Sequence, residues 1–102
     1  MSRLVRIASV AELPAEGELR EFPADTELVC VINSRGVFTA VGNACPHRGA
    51  PLSAGCIADG KLICYWHGWE FQLSDGASGH PGRPSAQCFE MVIQGDDVYL
   101  KI

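Results

Sequence analysis

ELVCVIN (residues 27–33), SRG (34–36) and VFTAV (37–41) are the stretch on which the fold turns. The first segment is β-branched and mostly apolar, so it reads as a buried strand. Ser34-Arg35-Gly36 turns the chain, and 37–41 returns as the hairpin partner.

The same grammar recurs on either side. Residues 88–94 and 98–102 flank Gly95-Asp96-Asp97 and form a last hairpin. Residues 57–58 and 61–64 flank Asp59-Gly60, a strong two-residue hairpin turn. Residues 70–73 precede Ser74-Asp75-Gly76, another turn. An apolar run at 4–8 opens the chain, and 19–22 is a weaker strand candidate. Apolar residues nowhere keep a helical period, so helix is limited to single turns near 10–13 and after Pro51. Short strands at close spacing predict an all-β fold, an antiparallel sandwich or barrel.

Composition narrows the function. The 102 residues make one small domain, 47% hydrophobic and 20% charged, which argues against disorder. The net charge of −4 disfavours nucleic acid, which needs a basic face. No window approaches the roughly 18 apolar residues of a membrane span. The two arginines near the start precede Glu12, Glu16 and Glu18 rather than a long apolar run, so no secretory signal is expected. Five cysteines in such a chain suggest a cytoplasmic protein whose thiols bind metal or pack. Between residues 12 and 27 lie Glu12, Glu16, Glu18, Glu21, Asp25 and Glu27 against Arg20 alone. They read first as a solvated loop and strand edge, and second as a docking face for a basic partner.

Residues 42–84 differ in character. GNACPHRGAPLSAG (42–55), CYWHGWEFQLSDG (64–76) and GHPGRP (79–84) are rich in Gly, Pro, Cys, His and Trp. They read as loops leaving the sheet, where function concentrates. One residue separates Cys45 from His47, two separate Cys64 from His67, and sixteen lie between the pairs. A hairpin within that interval can bring the two loops side by side, each offering one soft thiolate and one imidazole. Chance is a poor explanation for such a pattern. A structural zinc site is a second reading, although zinc fingers pair Cys with Cys and His with His along the chain.

C-x-H followed by C-x-x-H, within CPHRGAPL (45–52) and CYWHGWEF (64–71), resembles the Rieske iron–sulfur signature. Both segments resemble the cluster loops of bacterial Rieske ferredoxins and of the Rieske domains of oxygenases. Residues 79–84 resemble the proline-containing third loop that covers the cluster in that family. The resemblance implies one Rieske-type 2Fe-2S cluster, with Cys45 and Cys64 on the inner iron and His47 and His67 on the outer. It also implies a Rieske-type antiparallel β sandwich or barrel, residues 1–102, with a cluster-binding subdomain inserted at about 43–84. Histidine ligation removes two negative charges relative to four thiolates, and the potential rises to about −150 to +300 mV. High-potential members carry a disulfide between the loops, where this chain has Ala50 and Trp66. They also carry Ser and Tyr hydroxyls, where this chain has Trp69 and Phe71. Fewer donors to the reduced cluster imply a potential at the low end.

The resemblance implies a soluble one-electron carrier rather than an enzyme. An oxygenase would need a mononuclear iron held by two His and a carboxylate, and His80 is the one histidine left over. The partners implied are an NAD(P)H-dependent flavin reductase and the terminal oxygenase of an aromatic-ring dioxygenase system, with no organic substrate bound. The alternative is the small subunit of an assimilatory nitrite reductase. His80 is read as part of the covering loop, Cys30 as core, and Cys56 and Cys88 as thiols rather than a disulfide. Trp66 and Trp69 either shield the cluster or line the docking surface. Arg48 is either a contact for an acidic partner or a solvated side chain.

Overall fold

The computed structural model describes residues 3–43, 51–64, 68, 70–73 and 86–102. Among these, nine strands form: β1 (Leu4–Ser9), β2 (Leu19–Ala24), β3 (Glu27–Ser34), β4 (Val37–Gly42), β5 (Cys56–Ala58), β6 (Lys61–Ile63), β7 (Glu70–Gln72), β8 (Cys88–Gln94) and β9 (Asp97–Lys101). Single 3-10 turns occupy Val10–Glu12 and Leu52–Ala54, where helical turns are expected. The all-β reading therefore holds.

Every pairing is antiparallel, in a six-stranded sheet of order β1-β9-β8-β4-β3-β2 and a three-stranded sheet β5-β6-β7. β8 turns the corner of the larger sheet. Its Cys88 and Phe89 pair with β4, while Glu90 to Gln94 pair with β9. A strand that changes partner in this way lets one sheet fold back on itself. The outermost strands, β1 and β2, come into contact, so the sheet is nearly a barrel.

β3 explains the division of the interior. Its residues 29–33 are all buried. Val29 and Val31 point into the barrel core with Phe22, Ala24, Ala40, Phe89, Val98 and Leu100. Cys30 and Ile32 point the other way, into a second core with Val41, Leu52, Leu62, Cys64, Phe71, Leu73 and Ala86. A strand covered on both faces loses the apolar/polar alternation of a half-exposed strand, which is why 27–33 reads as a continuous run. The second core joins the barrel's outer face to the three-stranded sheet. Each fully buried Leu or Phe there contributes about 1.5–3 kcal/mol.

The turn after β3 is tighter than its sequence suggests, and Asp59-Gly60 is the two-residue turn expected. Ser34 pairs with Val37, leaving a two-residue loop of Arg35 and Gly36 at φ 55° and 83°. Asp59-Gly60, at 52° and 73°, has the same form. Positive φ at both positions defines the type I′ hairpin, whose twist matches that of the strands. β2 runs two residues beyond its expected end, through Pro23. Proline cannot donate to a ladder but is tolerated on an edge strand, and β2 is an edge of its sheet.

Candidate metal centre

Of the four expected ligands, Cys64 is among the described residues. Cys45, His47 and His67 lie outside them, as do Arg48, Ala50, Trp66, Trp69, His80, the 74–76 turn and the 79–84 loop. Cys64 follows β6 directly and has no solvent exposure. Its surroundings include Leu52, Leu62 and Phe71, each at most 1% exposed.

β6 and β7 frame Cys64. Ile63 pairs with Glu70, so β6 and β7 close a six-residue loop over 64–69 that carries both Cys64 and position 67. Gly68 within it has φ +68°, a left-handed conformation that a side chain would strain. Lys61 and Glu70 form an ion pair of 3.0 Å along the same hairpin.

The first loop, which carries Cys45 and His47, leaves β4 at Gly42 and returns at Pro51. Its two ends are joined through Asn43, which is 4% exposed. The Leu52 N–H donates to the Asn43 carbonyl at 2.6 Å, and the Ser53 N–H donates to Asn43 Oδ1 at 2.9 Å. The Gly42 N–H donates to the Gln87 carbonyl at 2.8 Å, which ties this point to the entry of β8. Gly55 then packs against β6, where a Cβ would lie 2.1 Å from the Ile63 carbonyl oxygen.

The remaining thiols behave as structure. Cys30 is wholly buried, and burial, reinforced by Glu21, pushes its thiol up to about 12. It is a neutral core group at physiological pH. Cys56 on β5 and Cys88 on β8 stand in different sheets and are not joined by a disulfide. The six acids between 12 and 27 are all exposed, as the solvated reading expects. Three of them have side-chain hydrogen-bond partners, Glu12 with Ser9, Glu21 with Asn43 and Asp25 with Arg3.

The donor set suits an iron–sulfur centre. A buried charge must be paired or bound to metal, and Cys64 offers a soft ligand where water does not compete. Asn43, Glu21, Ser53 and Gly55 are the residues that sequence reasoning missed. The contacts of Asn43 with Ser53 and Glu21 span 10 and 22 positions, Gly55 meets Ile63 across a hairpin, and no local pattern encodes them.

Comparison with known proteins places this frame. The family model for the Rieske [2Fe-2S] domain matches residues 3–90. Apoptosis-inducing factor 3 of Homo sapiens is 36% identical over 86 residues, covering 83% of this chain and 14% of that protein. The ferredoxin component of the alkene monooxygenase system of Xanthobacter autotrophicus is 30% identical over 86 residues, covering 83% of this chain and 70% of that one. The chain thus spans about one-seventh of the first relative and most of the second. Among solved structures, the ferredoxin of carbazole 1,9a-dioxygenase from Nocardioides aromaticivorans superposes with a TM-score of 0.83 at 24% identity, covering 95% of each chain.

Proposed function

The chain belongs to the Rieske [2Fe-2S] domain family and carries one 2Fe-2S cluster, and from that premise we propose that it is a one-electron carrier serving an oxygenase. It takes electrons singly from an NAD(P)H-dependent flavin reductase and delivers them to the terminal oxygenase of an aromatic-ring dioxygenase system, in the cytoplasm. It binds no organic substrate itself. The ferredoxin component of the alkene monooxygenase system, similar over most of its length, supports this reading. The comparisons do not favour the nitrite reductase subunit.

The observation that carries the proposal is the placement of Cys64. It sits at full burial at the start of the segment that joins β6 to β7, in one core with Leu52, and Asn43 ties together the two ends of the segment that carries the C-x-H pattern. Cys45 and Cys64 would hold one iron, and His47 and His67 the other. Residues 43–84 would then be the cluster-binding subdomain of a single domain. When bound, the cluster supplies a site that gains and loses one electron. The apolar surroundings of Cys64 exclude water from the thiolate side. Phe71, fully buried, brings no hydroxyl to donate to a sulfur, which keeps the potential low.

His47→Ala and His67→Ala are the direct tests. Each abolishes the spectrum of a mixed His/Cys cluster while the β-sheet circular dichroism of the barrel persists. A normal spectrum and transfer rate in either variant overturns the ligand assignment. Isolation as a tight complex with a sirohaem chain, instead of transient exchange between partners, overturns the carrier role.

A further inference from the structure

We propose that Asn43 and Glu21 act as a pair that positions the first cluster loop, an inference that rests on the ligand assignment above. Asn33 and Asn43 are the buried polar residues of the described chain, and they serve different ends of the molecule. Asn33 donates from Nδ2 to the Pro14 carbonyl at 3.1 Å and accepts the Gly36 N–H at 2.9 Å, fixing turns of the outer sheet. Asn43 makes four bonds at the base of the loop that carries Cys45 and His47. Its N–H donates to the Leu28 carbonyl at 3.0 Å, and its carbonyl accepts the Leu52 N–H. Its Oδ1 accepts the Ser53 N–H, and its Nδ2 donates to Glu21 Oε1 at 2.5 Å.

Two of these bonds join the loop's ends, one anchors it to β3 and one to β2. The side chain must accept on one side and donate on the other, which an amide does and a carboxylate does not. The Glu21 carboxylate accepts only, so the contact has a direction. The bond is charge-assisted and part-buried, in the stronger class of hydrogen bonds. Glu21 is itself exposed, so its substitution disturbs little besides this contact.

Because the contact has a direction, it can be reversed. Asn43→Asp keeps the acceptor for Ser53 but sets a carboxylate against Glu21. Adding Glu21→Gln restores a donor from the opposite side. With the cluster-loaded protein, the readouts are the rate of cluster release under chelator, the EPR g-values of the reduced state and the midpoint potential. Asn43→Asp and Glu21→Ala are expected to release the cluster on the order of tenfold faster, the equivalent of one hydrogen bond to a charged group, and to shift the g-values and the midpoint. Glu21→Gln alone, whose amide oxygen still accepts, stays within about twofold of the parent, and the double variant returns toward it. Asn33→Ala lowers the melting temperature but leaves the g-values and midpoint unchanged.

The proposal is overturned if Asn43→Asp and Glu21→Ala keep the parent's release rate and signature. It is equally overturned if the double variant is no better than Asn43→Asp, or if Asn33→Ala shifts the signature as much. His47→Ala, measured alongside, separates the two levels. Loss of the cluster there with an unchanged Asn43→Asp signature refutes the positioning role alone. A retained cluster in His47→Ala refutes the ligand reading beneath it.

Discussion

At Gly55 the backbone approaches β6 so closely that a Cβ would lie 2.1 Å from the Ile63 carbonyl oxygen and 3.1 Å from that of Leu52. Its φ of −82° is ordinary, so the demand for glycine comes from crowding and not from backbone conformation. Ile63 immediately precedes Cys64, the ligand proposed above, so a displacement there would reach it. Gly55→Ala is expected to cost roughly 1–3 kcal/mol as overpacking and to lower the iron content of the purified protein. Gly60 faces open space but has φ +73°, so Gly60→Ala costs about 1 kcal/mol and leaves iron content intact. Thermal melts with iron assays check the contrast, and equal iron loss in both variants contradicts it. Cys30 gives a pH prediction. Its thiol is raised to about 12 from a reference of 9.0, so the folded state holds the proton more tightly than the unfolded one. That contribution is complete below pH 9 and is lost as pH rises from 9 through 12, at up to about 1.4 kcal/mol per pH unit. Melting curves of Cys30→Val between pH 7 and 11 should fall less steeply than those of the parent, and parallel curves would contradict the assignment. The C-x-H and C-x-x-H pattern is legible in the sequence because each Cys/His pair is local. Gly55 and Asn43 are not, because their partners become neighbours through the fold.

β3 shows what patterning reveals and what it leaves out. Its apolar run reads as a buried strand, but the sequence cannot say that one face meets the barrel core and the other a second sheet. Every strand is legible at least in part, because hairpin turns such as Asp59-Gly60 carry their own chemistry. The weakest reading is β2, LREFPA, where charges and a proline mask a strand that the edge position tolerates. Its turn into β3 also goes unread, because Asp25 adopts φ +62° without a glycine to mark it. The chain between β6 and β7 begins at Cys64, so on the proposed ligation the three-stranded sheet is expected to depend on what that segment binds. Removal of the cluster is expected to abolish amide hydrogen-exchange protection in β5, β6 and β7 while β1, β8 and β9 keep theirs. Uniform loss of protection across both sheets would show one cooperative unit instead.

The whole molecule is a small acidic body whose net charge is −4, with six exposed acids between residues 12 and 27. A carrier that exchanges partners relies on weak, electrostatically guided encounters. Electron transfer to and from its partners is therefore expected to change severalfold between about 0.02 and 0.5 M salt, over which charge screening becomes short-ranged. A salt-independent rate measured by stopped flow would indicate a fixed complex. All of this presupposes the cluster and its mixed ligation, and an EPR-monitored redox titration tests that most directly, with iron and sulfide assayed on the same sample. The account predicts equal iron and sulfide, a reduced-state signal characteristic of His/Cys ligation, and a midpoint near the bottom of the Rieske range, about −150 mV. Zinc in place of iron with no signal would contradict the centre itself, and a midpoint far up that range would contradict the roles given to Trp69, Phe71 and the missing disulfide.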